Sequence, residues 1–274
     1  MKTLNCKGRL IDLTTPKVMG IINITPDSFY DGGRLKTDQE ILEKAENMLA
    51  EGAVFLDVGG YSSRPGAENI SVEEELKRVL PVLELILKKF PEAILSVDTF
   101  RSEVAQKSVD CGGSVINDIS AGFLDEKMLE TVARLQVPFV MMHMRGTPET
   151  MQQLTDYENV VTEVIQYFSQ RIALAQKLGI NDLILDPGFG FAKTVAQNFE
   201  LLKKVELLQN FNLPVLVGLS RKSMIYKTLH TSPDQALNGT TALNTVALMK
   251  GVSILRVHDV KEAVECVRLI QQLN

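Results

Sequence analysis

Leu183 to Lys193 reads LILDPGFGFAK, and the reading of this stretch decides the fold. An apolar run ends in the carboxylate of Asp186, Pro187 and Gly188 stop it, and Gly190 allows a tight turn before the next helical pattern. Such a run predicts a strand buried on both faces, as in a parallel sheet, with its polar group at the C-terminal tip. The same pattern recurs along the chain. Val18 to Ile24 carries Asn23, Val54 to Val58 carries Asp57, and Ile94 to Asp98 ends on Asp98. Ser114 to Asp118 ends on Asn117 and Asp118, and Val137 to His143 ends on His143. Val215 to Lys222 ends in Ser220, Arg221 and Lys222, and Ser253 to His258 ends in Arg256 and His258.

Helical patterns separate these runs. Ser71-Val-Glu-Glu74 reads as a capping box opening a helix that contains Pro81, and Thr37-Asp-Gln-Glu40 reads as another. Further helices are expected over 104–109, 127–135, 160–178, 199–208, 240–250 and 260–273. Strand–helix alternation at this count predicts a (β/α)8 TIM barrel, with an open doubly wound sheet as the runner-up. The barrel is favoured because G-x-G-x-x-G is absent after the first strand and because every strand has a polar tip. Met1 to Pro16 alternates loosely around Gly8 and predicts a short N-terminal β-hairpin closing the bottom. Residues 1–274 then form a single domain.

The composition bounds the function. Hydrophobic residues at 45% and charged residues at 23% support a sizeable core. A formal net charge of -5 argues against a nucleic-acid surface. No apolar stretch approaches the roughly 18 residues of a membrane helix. Cys6, Cys111 and Cys266 have no metal-ligand spacing, and with no secretory signal they read as reduced thiols of a cytoplasmic protein.

In a barrel the C-terminal strand tips share the face where active sites sit. The tips and their loops offer carboxylates (Asp98, Asp186), an amide (Asn117), an ammonium (Lys222), guanidiniums (Arg64, Arg256) and His258. Carboxylates accept, Lys donates and an amide does both, a set that suits a flat heterocycle such as a pterin or purine. The guanidiniums and His258 suit an anionic group. Taken singly, each position has a bland account: a strand-end Asp caps a helix or pairs with a cation, Asp57 supports its neighbours, Asn23 satisfies its own turn, and His143 sits in apolar surroundings. Polar tips on every strand together outweigh those accounts. Three histidines leave a zinc hydrolase without ligands, while a hard cation such as Mg²⁺ could be held by Asn23 and a substrate phosphate.

The segments 19–29 (MGIINITPDSF), 59–66 (GGYSSRPG), 96–99 (SVDT), 117–122 (NDISAG), 142–144 (MHM), 186–191 (DPGFGF), 218–222 (GLSRK) and 256–258 (RVH) resemble, in order, those of the dihydropteroate synthase family of pterin-binding barrels. The resemblance implies a transferase of folate biosynthesis that condenses 6-hydroxymethyl-7,8-dihydropterin diphosphate with 4-aminobenzoate, giving 7,8-dihydropteroate and diphosphate. It implies a pterin site of Asp98, Asn117, Met144, Asp186, Phe191, Lys222 and Arg256. It implies a 4-aminobenzoate site of Phe29, Ser63, Arg64, Pro65 and Ser220, and a diphosphate site of Asn23, Arg64, Arg256 and His258, with Mg²⁺ on Asn23. Catalysis would rest on Arg64, Asp98, Lys222, Arg256 and His258, and the displacement would be dissociative. A homodimer and competition by sulfonamides are further implications. Tyr61, Ser63 and Arg145 depart from the residues frequent in the family without removing a proposed catalytic group. The rival readings are a methyltetrahydrofolate corrinoid methyltransferase and a catalytically silent pterin-binding paralogue.

Overall fold

The computed structural model describes residues 3–24, 38–62 and 69–273. A hairpin of β1 (Thr3–Cys6) and β2 (Arg9–Asp12) precedes eight parallel strands: β3 (Lys17–Asn23), β4 (Phe55–Gly59), β5 (Ile94–Asp98), β6 (Val115–Asp118), β7 (Phe139–Met142), β8 (Leu183–Asp186), β9 (Leu216–Val217) and β10 (Ile254–Val257). Their hydrogen-bonded order is β8-β7-β6-β5-β4-β3-β10-β9. A parallel bridge between Leu185 and Val215, with the Leu185 N–H on the Pro214 carbonyl at 2.9 Å, joins the two ends into a ring. The intervening helices are α1 (Asp38–Glu51), α2 (Val72–Lys89), α3 (Ser102–Asp110), α4 (Met128–Leu135), α5 (Val160–Lys177), α6 (Val195–Lys203), α7 (Ser223–Thr228), α8 (Leu237–Met249) and α9 (Val260–Gln271). This is the (β/α)8 barrel expected from the sequence.

The strands are buried on both faces, and their alternation sorts two cores. Positions pointing outward, such as Leu56, Val58, Leu95, Val97, Leu255 and Val257, pack against the helices. The inward positions nearest the strand starts are Met19, Phe55, Ile94, Val115, Val140, Ile184, Leu216 and Ile254, one from each strand, and they form a separate cluster. Leu4, Cys6, Ile11 and Leu13 of the hairpin pack onto the same cluster, so the hairpin does close the bottom. Its two-residue turn has Lys7 at φ 52° and Gly8 at φ 90°, the left-handed pair whose twist matches a tight hairpin. Lys7 Nζ donates to the Val109 carbonyl at 2.9 Å and fastens the hairpin to α3. The interior below the mouth is therefore solid side chain, and chemistry is confined to the upper end.

Element boundaries differ from expectation where backbone chemistry intervenes. The Ser71 hydroxyl accepts the Glu74 N–H at 3.2 Å, but the Glu74 carboxylate accepts instead from Arg78 at 2.8 Å, so the reciprocal half of that box is not made. The box expected at Thr37 lies outside the described residues. The helix expected over 199–208 starts earlier, because Thr194 and Gln197 cap each other reciprocally. It then gives way to a 3₁₀ segment, Val205–Phe211. The helix expected from Thr240 starts at Leu237. No helix among the described residues is long and apolar enough to cross a membrane.

Phe55 is fully buried in the bottom layer. Phe55→Ala is expected to lower unfolding free energy by about 3–5 kcal/mol in urea titration, as cavity-forming substitutions do. A loss below about 1 kcal/mol would contradict the packed floor.

Candidate active site

Above the floor the inward positions turn polar. They include Asp57 on β4, Ser96 on β5, Asn117 on β6, Asp186 on β8 and Arg256 on β10, with Asn23 and Asp98 at the strand tips. Gly59, paired with Asn23 and Asp98, keeps the rim open between them. A Cβ there would stand 3.3 Å from the Asp98 Cβ and 3.8 Å from Asn23 Oδ1. The adjacent Asp118 is turned away. It accepts the Ser120 and Gly122 N–H groups at 2.7 and 2.6 Å, a loop-shaping role.

Asp57 is fully buried at the centre of this layer. It accepts from Ser96 Oγ, from Asn117 Nδ2 at 3.0 Å and from Arg256 Nε at 2.6 Å. Arg256 Nη2 donates to Asp98 Oδ2 at 2.7 Å. Of the five guanidinium N–H donors, three remain for another partner. Burial pushes the Asp98 carboxyl up to about 7, against the pull of Arg256 and with help from Asp57. Its side chain is still 20% exposed, at the mouth.

The loop after β8 forms the opposite wall. Asp186 Oδ1 accepts the Gly188 N–H at 2.8 Å, which leaves Oδ2 to face a ligand. Burial raises the Asp186 pKa, and Lys222 followed by the Gly188 N–H opposes that rise. Lys222 Nζ donates to the Phe189 carbonyl and lies 4.8 Å from the Phe191 ring centroid. Burial lowers its pKa to about 8, with Asp186 resisting. Beneath the loop, Lys193 Nζ donates to the Gly188 and Phe191 carbonyls at 3.0 Å each and to His143 Nδ1 at 2.9 Å. Asn198 Oδ1 accepts the Gly190 N–H at 2.7 Å, and its Nδ2 donates to the Thr194 carbonyl at 2.7 Å. Met144, Met142, Met151, Ile119 and Ala192 gather with Phe191, Phe100 and Leu124 into an apolar flank.

Ser220 and His258 meet at the far edge. Ser220 Oγ lies 3.0 Å from His258 Nδ1 and accepts the His258 backbone N–H at 3.2 Å. Using the hydroxyl proton requires Nδ1 to accept, which leaves the ring proton on Nε2. His258 is exposed at the rim; desolvation of its ring and the Arg256 charge lower its pKa to about 4, which favours the neutral ring at pH 7.

The structure thus brings together Asp98, Asn117, Asp186, Phe191, Lys222 and Arg256, with Met144 on the flank and Asn23, Ser220 and His258 at the rim. Phe29, Ser63, Arg64 and Pro65 lie outside the described residues. Sequence reading undervalued Asp57, which organises the layer, and missed Ser96, Lys193 and Asn198. Lys193 stands within the DPGFGFAK segment itself, and a lysine just after glycines at a strand end was the available signal. Among the described residues no group of three His, Cys, Asp or Glu side chains could hold a metal by itself. A hard cation would need oxygen from the ligand, and Asn23 Oδ1, across Gly59 from Asp98, has the right chemistry to share it.

Residues 19–258 match the family described as pterin binding enzyme. The dihydropteroate synthase of Escherichia coli K12 is 46% identical over 270 residues, 98% of this chain and 95% of that one. A crystal structure of the Yersinia pestis dihydropteroate synthase with a sulfonamide drug superposes with a TM-score of 0.94 at 42% identity, covering 99% of this chain and 98% of that one. The Xanthomonas albilineans dihydropteroate synthase in complex with 7,8-dihydropteroate gives 0.89 at 40% identity, with 99% and 98% covered.

Replacing Asp57 by Asn sets an amide N–H against donors already in place. Asp57→Asn should cost about 3–5 kcal/mol of stability by denaturant titration, the range for breaking a buried ion pair; a loss under about 1 kcal/mol would show that the network is not held through Asp57. For His258, the fold binds fewer protons than the unfolded chain between its lowered pKa and the ordinary imidazole value of 6.5. Its contribution to stability is therefore present above about pH 6.5 and lost as the pH falls towards 4. An NMR titration placing its midpoint at or above 6.5 would refute the neutral assignment.

Proposed function

We propose that this chain, which belongs to the pterin-binding enzyme family and within it to the dihydropteroate synthases, joins 6-hydroxymethyl-7,8-dihydropterin diphosphate to 4-aminobenzoate, releasing diphosphate. One observation carries the reading. Within one cup, Asp186 keeps a carboxylate oxygen free, Lys222 keeps N–H groups free, and Asn117 is held with its carbonyl oxygen uncommitted. That order of acceptor, donor and amide complements the aminopyrimidinone edge of a pterin. The apolar flank of Met144 and Phe191 covers a ring face.

Breaking the bond to diphosphate puts positive charge on the pterin methylene and negative charge on the leaving group. Asp98, where ionised, favours the cation, which supports the dissociative course that the family resemblance implies. Arg256, pinned by Asp57 and Asp98, presents its remaining N–H groups without a reorganisation cost. Neutral His258 donates from Nε2, and Arg64 completes the grip on diphosphate. Mg²⁺ bound with the diphosphate at Asn23 would add charge neutralisation to the leaving group. An arylamine is neutral at pH 7, so no strong base is required. The family resemblance would give 4-aminobenzoate to Phe29, Ser63 and Pro65, which lie outside the described residues, with its carboxylate towards Ser220, just before α7, and sulfonamides would compete with it. The reaction belongs in the cytoplasm, in keeping with free thiols at Cys6, Cys111 and Cys266. A homodimer through the C-terminal helices would cover Met249 and Leu269, both about 70% exposed.

The test is diphosphate release from the dihydropterin diphosphate with Mg²⁺, with and without 4-aminobenzoate. Release that depends on 4-aminobenzoate and yields dihydropteroate is expected; pterin binding without release would instead favour the silent paralogue or the methyltransferase. Asp186→Ala should abolish pterin binding in calorimetry, whereas Arg64→Ala should retain it and lower turnover by roughly a hundredfold.

A further inference from the structure

Lys193 is a buried amine that the reaction above does not use; burial lowers its pKa to about 7 against the pull of Asp186. Only 6% of the residue is exposed, and its three N–H groups have three acceptors on two different segments. One is the ring of His143, immediately beyond β7; the others are the carbonyls of Gly188 and Phe191, in the loop after β8. Three partners around one Nζ favour its charged form, which only donates, so His143 then accepts at Nδ1 and is neutral. Burial, then the Lys193 and Arg145 charges, hold the His143 pKa well below the ordinary imidazole value, in agreement with that state.

The carbonyls that Lys193 takes belong to residues that shape the cup. Gly188 gives its N–H to Asp186 Oδ1 and its carbonyl to Lys193. It adopts φ 68°, and a Cβ there would come 2.1 Å from the His143 carbonyl, so the loop is pressed onto the end of β7. Phe191, whose ring lies against Lys222, is tied down by its own carbonyl to the same ammonium. We propose that Lys193 is a positioning residue for the pterin site, clamping Gly188 and Phe191 to His143 so that the Asp186 carboxylate and the Phe191 ring stand where the heterocycle meets them. Lys193 acts from behind the wall and touches no substrate.

This inference rests on Asp186 and Phe191 binding the pterin, so its test carries a control for that reading. Lys193→Met keeps the length and removes the donors. In calorimetry with 6-hydroxymethyl-7,8-dihydropterin diphosphate and Mg²⁺, its affinity should fall at least about tenfold, since loosening a supporting shell misplaces the groups it holds. In steady-state kinetics the pterin KM should rise likewise, with kcat and the 4-aminobenzoate KM within about threefold of the parent. Should Lys193→Met fail to fold, His143→Leu and His143→Asn replace it. The leucine removes the acceptor and should raise the pterin KM, and the asparagine, whose Oδ1 can take the place of Nδ1, should restore it. Unchanged pterin affinity in a folded Lys193→Met, or equal affinity in both His143 variants, overturns the positioning role. Intact pterin binding in Asp186→Ala overturns the functional reading on which it rests.

Discussion

A carboxylate with no access to solvent governs the upper barrel. Asp57 would be too costly to bury as an ion without compensation. The compensation comes from three strands at once: Ser96 on β5, Asn117 on β6 and Arg256 on β10. Because β4 lies between β5 and β3, with β10 beyond β3, only a ring of strands with the observed register lets these donors converge. Satisfying Asp57 therefore does two things together. It makes the polar layer compatible with a packed interior, and it fixes the amide and the guanidinium with part of their hydrogen-bonding capacity unspent.

The same economy shapes the wall opposite. The loop after β8 exposes several backbone groups that a tight turn cannot pair internally. Lys193 and Asn198 take those on the inner side, and Lys222 takes the Phe189 carbonyl. Backbone carbonyls hold both amines, with His143 Nδ1 as a third partner of Lys193, so each stays placed while burial lowers its pKa. A binding surface results whose scaffold is saturated and whose few unsatisfied groups point at the ligand, the arrangement that makes a site preorganised.

Much of this was legible in the sequence because barrels write their geometry simply. Apolar runs with polar ends located all eight strands, and the tips Asn23, Asp98, Asn117, Asp186, Lys222, Arg256 and His258 do gather at one end. The ranking of those tips was harder to read. Asp57 and Asp98 look equivalent as letters, yet one is enclosed by donors and the other faces the mouth, a distinction set by how deep each strand position lies in the ring. Asp118 and Asn117 are neighbours with opposite fates because strand alternation turns one inward and the other towards its own loop. Lys193 was hidden by its neighbours, since a lysine after a glycine-rich turn reads as a solvated helix start until the carbonyls it serves are seen. His143, in the apolar surroundings its neighbours predict, is a satisfied core residue, with Lys193 as its partner.

The charges of the cup divide the labour between substrate halves. Asp57, Asp98 and Asp186 lie around the cations Arg256 and Lys222, with Lys193 set behind the loop. Burial raises the pKa of both Asp98 and Asp186. A cation developing at the proposed pterin methylene would draw Asp98 towards the ionised state, a stabilisation offered to the transition state more than to the neutral pterin. A diphosphate would gain nothing from that interior. The candidate anion-binding groups are the N–H groups of Arg256 left over by Asp57 and Asp98 and, at the rim, His258 and the Asn23 amide. Carboxylates and anion-binding groups that face one cup from different strands would favour heterolysis of the bond between the two halves.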